Sequence, residues 1–151
     1  MDNDLTNRLR KLNQQHAYTT IQMHEAIGRK AGLSGTDHKY LGFLLQKGQM
    51  TAGELSDLAG LTTGAVTGLI DRFEKKKLVK RQFAKDDRRI VMIVPNTKNI
   101  MALLQPLYKE YRSRSRKLIA SFSPREMKVI EDYFLKSIKI MNETRKNLRK
   151  K

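Results

Sequence analysis

The groups best equipped for chemistry in this chain are the two arginines of Lys85-Asp86-Asp87-Arg88-Arg89, set directly against the apolar run Ile90 to Val94 without a glycine or proline between them. A guanidinium is always charged and presents a rigid fork of donors, so two of them at the mouth of a strand are either a solvated hairpin tip or a device for gripping anions. Asp87 and Arg89, two residues apart, share a face if the strand has already begun, and the carboxylate then holds the guanidinium in one orientation. An arginine held in that way can enter a narrow minor groove, where the negative potential is strongest.

The surrounding charge favours the second use. From Arg72 to Arg89 nine basic groups, Lys75 and Arg88 among them, stand against three acidic ones. A surface kept basic only for solubility mixes its signs more evenly. Over the whole chain 31 Lys and Arg oppose 15 Asp and Glu, a formal charge of +16 in 151 residues, which draws the protein toward a polyanion before any specific contact forms. Nucleic acid is the first candidate partner. An anionic membrane is the poorer one, because the basic residues are spread over several elements.

Other chemistries have little to stand on. There is no cysteine, hence no disulfide, thiolate metal site or thiol switch. Three histidines suggest a metal sensor, but His16 and His24 are about 12 Å apart along a helix axis, too far to share an ion. No phosphate-binding glycine loop, H-E-x-x-H or nucleophile motif occurs, and only Asp37 with His38, or Glu25, volunteers as a catalytic acid or base. The expectation is a non-enzyme without cofactor or metal. The polar N-terminus has no signal-peptide core, and no run approaches the ~20 apolar residues of a membrane span, so a soluble, cytoplasmic protein is expected.

The elements that must position the basic tip follow from periodicity and punctuation. Residues 4–31 carry Leu5, Leu9, Leu12, His16, Met23 and Ile27 at helical spacing, and Gly32 ends the run. Ser34 or Thr36 caps a short second helix with Tyr40, Leu41, Leu44 and Leu45 inside and Gly48 as its stop. Thr51, with Glu54 at the capping-box position, opens a third helix that Gly60 closes. Thr62 caps a fourth, whose apolar stripe is Val66, Leu69, Ile70 and Phe73.

The opposite face of that fourth helix is Thr63, Gly64, Thr67, Gly68, Asp71 and Arg72. Small and hydroxyl side chains there suit close approach to DNA and contacts to base edges or thymine methyls, although an ordinary surface helix has the same composition. Two β-like runs flank the charged tip as an antiparallel hairpin. Two long helices follow, the second capped by Ser123 with Pro124 at its first position and Glu126 at its third. Helix, tight turn, helix, hairpin is the pattern of a winged helix-turn-helix. The predicted fold is mainly α with a small β-hairpin.

The stretch Thr51 to Val94 resembles the MarR (multiple-antibiotic-resistance regulator) family of winged-helix transcription factors. The likeness rests on "ELSDLAGLTTGAVT", on "LIDRFEKKKLVKR" and on the D-x-R at Asp87 to Arg89. It implies N- and C-terminal dimerisation helices at 1–32 and 96–151 around a DNA-binding region at 33–95. It further implies a homodimer on a pseudo-palindromic operator, most simply a repressor released by a small ligand, which in that family is often aromatic or anionic. The residues expected at the DNA are Thr62, Thr63, Gly64, Thr67, Arg72, Lys75, Asp87, Arg88 and Arg89. Tyr18, His38, Tyr40 and Tyr111 are those expected around an effector. Two positions depart from the family pattern: Lys77 stands where glycine often ends the recognition helix, and Pro95 follows the second wing strand, leaving Asn96 or Thr97 to cap the next helix. A basic winged-helix protein that coats nucleic acid without sequence preference is the competing expectation.

Overall fold

The computed structural model describes residues 2–150. The elements run α1 (Asn3–Lys30), α2 (Gly35–Lys47), β1 (Met50–Thr51), α3 (Ala52–Ala59), α4 (Thr63–Lys75), β2 (Val79–Phe83), β3 (Val91–Pro95), α5 (Thr97–Ala120) and α6 (Pro124–Arg149). Two compact units result, one ending at Tyr108 within α5 and the other beginning at Lys109.

Each helix of the first unit starts where a side-chain oxygen replaces a missing backbone partner. Asp2, Ser34, Thr51 and Thr62 cap α1 to α4, and Asn96 Oδ1 accepts from Asn99 N to open α5. At Thr51 the hydroxyl half of the expected box is present, with Oγ1 accepting from Glu54 N at 3.1 Å. The stops at Gly32, Gly48 and Gly60 all have positive φ. Helix α5 continues through Pro106, whose missing N–H leaves one rung of its ladder unmade.

The core of this unit gathers Leu41 and Leu44 of α2, Leu55 of α3, and Val66, Leu69, Ile70 and Phe73 of α4 with Ile93 of β3 and Ile100 and Leu104 of α5. The sheet has three strands rather than the two of the expected hairpin, in the order β1-β3-β2, all antiparallel. Met50 pairs with Ile93 and Thr51 with Met92, so the residues that introduce α3 also stitch it to the hairpin. Two residues are too few to show a strand period, so this strand exists only through its tertiary partner.

Lys77 resolves the departure at the end of α4. It adopts φ 61°, alone among the described non-glycine residues, and Leu78 N reaches back to Phe73 O at 2.9 Å. Asn99 Nδ2 donates to the Lys77 carbonyl at 2.8 Å and holds the turn. A side chain in that region is strained by about 1–2 kcal/mol. Lys77→Gly is therefore expected to raise unfolding stability by about 1 kcal/mol, read as a higher urea midpoint at unchanged slope.

In the second unit, Ser123 and Glu126 form the complete capping box at the start of α6. No residue of α6 is buried, although it carries Ile130, Phe134, Ile138 and Met141 along one stripe.

Candidate nucleic-acid interface

Helices α3 and α4 are joined through Gly60, Leu61 and Thr62. Gly60 turns left-handed at φ 69°, and Ser56 Oγ donates to Leu61 O at 2.5 Å, so the turn is pinned from the end of α3. Thr62 spends its oxygen as the cap, accepting from Ala65 N at 3.2 Å. The apolar stripe of α4 is wholly buried, which fixes the rotation of the helix and leaves Thr63, Gly64 and Thr67 exposed. A Cβ added at Gly64 would meet nothing within 4 Å, so the approach to the backbone there is open.

Arg72 has a role the sequence did not reveal. Its Nε and Nη2 donate to the Asp37 carboxylate of α2 at 2.8 and 2.9 Å, a bidentate pair that ties the exposed side of α4 to the helix beneath it. Only Nη1 is left over, lying beside Gly68. Arg81 of β2 does similar work at the C-terminal end of α4. It donates to Asp71 and Glu74, each at 2.6 Å, and cancels the acids that would otherwise oppose a polyanion. Lys75, Lys76, Lys77, Lys80, Lys85 and Arg88 are exposed and form no ion pair among the described residues.

At the hairpin tip the guanidinium of Arg89 and the carboxylate of Asp87 do pair, with Nη2 to Oδ2 at 2.9 Å and Nε to Oδ1 at 3.1 Å. Strand alternation is not the reason, because β3 begins only at Val91. Asp87 Oδ1 instead accepts the backbone N–H of Arg89 at 2.9 Å in a local turn that brings the side chains together. The Arg89 guanidinium and that N–H hold the Asp87 carboxyl below its ordinary range, so it stays charged.

The four residues expected around an effector have different surroundings. His38 lines an open cavity of about 400 Å³ with Ile21, His24, Glu25, Thr36, Lys39, Gly42, Phe43 and Gln46, between α1 and α2. Tyr40 is buried in the core and Tyr18 is exposed on α1. Tyr111 lines a second cavity, wholly within the Lys109 unit, with Arg112, Ser115 and Arg116. His24 meets His38 of α2, with ring centroids 5.6 Å apart. Among the described residues no helix is long and apolar enough to cross a membrane.

Comparison with known proteins agrees with this geometry. A family model described as MarR family matches residues 31–90. The HTH-type transcriptional regulator YcgE of Bacillus subtilis (strain 168) is 40% identical over 123 residues, which is 75% of this chain and 80% of that protein. A MarR family protein from Bacillus stearothermophilus superposes with a TM-score of 0.72 at 27% identity, over 94% of this chain and 99% of that one. Streptococcus pneumoniae FabT, solved in complex with DNA, shares the fold with a TM-score of 0.71 at 16% identity, over 92% and 99% of the two chains. The matched relatives are HTH-type transcriptional regulators. The buried stripe of α4, the three-stranded wing and these matches have one reading: the chain belongs to the MarR family of transcriptional regulators and has its DNA-binding winged-helix fold.

Proposed function

We propose that the protein acts as a homodimeric repressor on a pseudo-palindromic operator, with α4 in the major groove, the hairpin tip in the adjacent minor groove, and release by a small ligand. The observation that carries this reading is the two-sided character of α4: four apolar residues anchor it while Thr63, Gly64 and Thr67 face outward, and at the hairpin tip Arg89 is already oriented by Asp87. Thr62, Arg72 through its remaining Nη1, Lys75 and Arg88 serve in this reading as phosphate contacts. FabT, of the same fold, has been solved with DNA. The cavity between α1 and α2 is of a size for a small effector.

The net charge of +16 also favours a nonspecific coat on nucleic acid. Selection of bound fragments from genomic DNA by the purified protein separates the two. Recovery of an inverted repeat with half-site centres about 10 bp apart supports the operator reading. Recovery of unrelated fragments supports the coat.

The wing gives a test by sign. Arg89→Ala is expected to weaken operator binding by roughly 5- to 100-fold, most on A·T-rich flanks, and to make the salt slope shallower by about one counterion. Asp87→Ala is expected to weaken binding too, although it removes a negative charge from a DNA-facing surface, because Arg89 loses its orienting partner. Titrations by fluorescence anisotropy read both. Tighter binding by Asp87→Ala means the tip is only a solvated turn.

A further inference from the structure

Asp37 and His38 are neighbours in the first turns of α2, and both are about 7% exposed despite their polarity. They point to different places. Asp37 takes Arg72 of α4. His38 Nε2 lies 3.0 Å from the hydroxyl of Tyr108 in α5, and that hydroxyl lies 2.5 Å from His24 Nδ1 in α1. The two imidazoles stack at 24°. There is little slack between α1 and α2 here, since a Cβ on Gly28 would come within 2.8 Å of His38 Cβ. One dipeptide thus touches α1, α4 and α5 at once.

The proton inventory of this junction has a limit. With both imidazoles neutral, one donates to the tyrosine oxygen and the other accepts the hydroxyl proton, so both hydrogen bonds are made. One added proton is tolerated, because the donating imidazole can carry it on its far nitrogen. A second turns the accepting imidazole into a donor, so that the tyrosine proton loses its acceptor within the junction, and it places two cationic rings with centroids 5.6 Å apart. We propose that the His24–Tyr108–His38 junction is a proton-operated coupling: charging both imidazoles loosens α1 and α5 from α2, and through Asp37 frees Arg72 and weakens the hold of α4 on DNA.

Glu25 of α1 and Lys39 of α2, of opposite sign, line the same cavity, and Asp37 is committed to Arg72. Burial, and then His24, push the His38 imidazole below its ordinary value, so the folded state prefers it neutral. A group depressed in this sense binds its proton more readily when unfolded, and the stability it contributes is lost as pH falls from about 6.5. Simple electrostatics predicts the opposite for DNA, since added positive charge tightens binding.

The loosening itself does not depend on the proposed operator; only its effect on DNA affinity does. Amide exchange of the full-length protein, corrected for intrinsic rates, is measured at about pH 7.5 and about pH 5.5. Wild type is expected to lose protection by about tenfold in residues 21–30, in the first turn of α2 and in α4. His24→Gln, which keeps a partner for Tyr108 but takes no charge, is expected to lose that pH dependence. Affinity for a selected duplex falls at the lower pH in wild type and does not in the variant. Equal pH responses in the two proteins, a response confined to α1, or tighter wild-type binding at low pH overturns the coupling. If the variant fails to fold, imidazole titration of wild type by NMR decides: coupled steps with the second displaced to lower pH support the junction, and two independent ordinary titrations overturn it.

Discussion

Thr67→Glu is expected to abolish specific operator binding, by more than about 100-fold, while leaving the protein folded. Thr67 is exposed on α4, and its hydroxyl does no more structurally than donate to Thr63 O at 3.0 Å. Removing that bond disturbs no buried group, and glutamate is the better helix former. The anchoring residues Val66, Leu69, Ile70 and Phe73 are untouched. Under the proposed docking, however, the new carboxylate arrives where base edges and phosphates converge. It must lose its water there without gaining a partner, and in a dimer it does so twice. Circular dichroism and the urea midpoint check the fold, and anisotropy titration on the selected duplex checks binding. Near wild-type affinity would remove α4 from the role of reader.

The second large effect concerns assembly. Ile130, Phe134 and Ile138 follow one another at intervals of four on α6, and Phe134 is 51% and Ile138 49% exposed, with no buried residue anywhere on that helix. On α1, Leu5, Leu9 and Leu12 are exposed in the same way. Contiguous apolar stripes of this kind mark surfaces covered by a partner. A second copy is the occupant the proposed function requires. Phe134→Asp with Ile138→Asp is therefore expected to weaken dimerisation by about a thousandfold or more, because symmetry loses each buried side chain twice, at about 1.5–3 kcal/mol apiece. Operator affinity falls with it, since two linked half-sites become independent. Sedimentation equilibrium reads the mass, with the wild type a dimer at micromolar concentration and the variant a folded monomer. A wild-type monomer under those conditions would sink both the dimer and the paired recognition helices.

Much of this architecture is legible in the chain alone, and for a local reason. Capping oxygens at Ser34, Thr51, Thr62 and Ser123 act on amides three residues away, and the stripe of α4 repeats within a few turns, so both are written in short windows of sequence. The glycine stops and the mainly α organisation follow from the same punctuation. Asp87 and Arg89 can be paired on paper because they are two residues apart, although a local turn and not strand alternation brings them together.

What only the tertiary structure decided lies beyond that reach. The strand β1 consists of two residues defined by Ile93 and Met92 on another element. Lys77 tolerates its left-handed backbone because Asn99, a distant residue, holds its carbonyl. Asp37 finds Arg72 across 35 positions, and His24 and His38 find Tyr108 across 84 and 70. Periodicity states which face of a helix turns inward, but not which residue of another helix it meets. Partner choice for a buried polar group depends on how the helices cross, and that is set by the packing of the whole core.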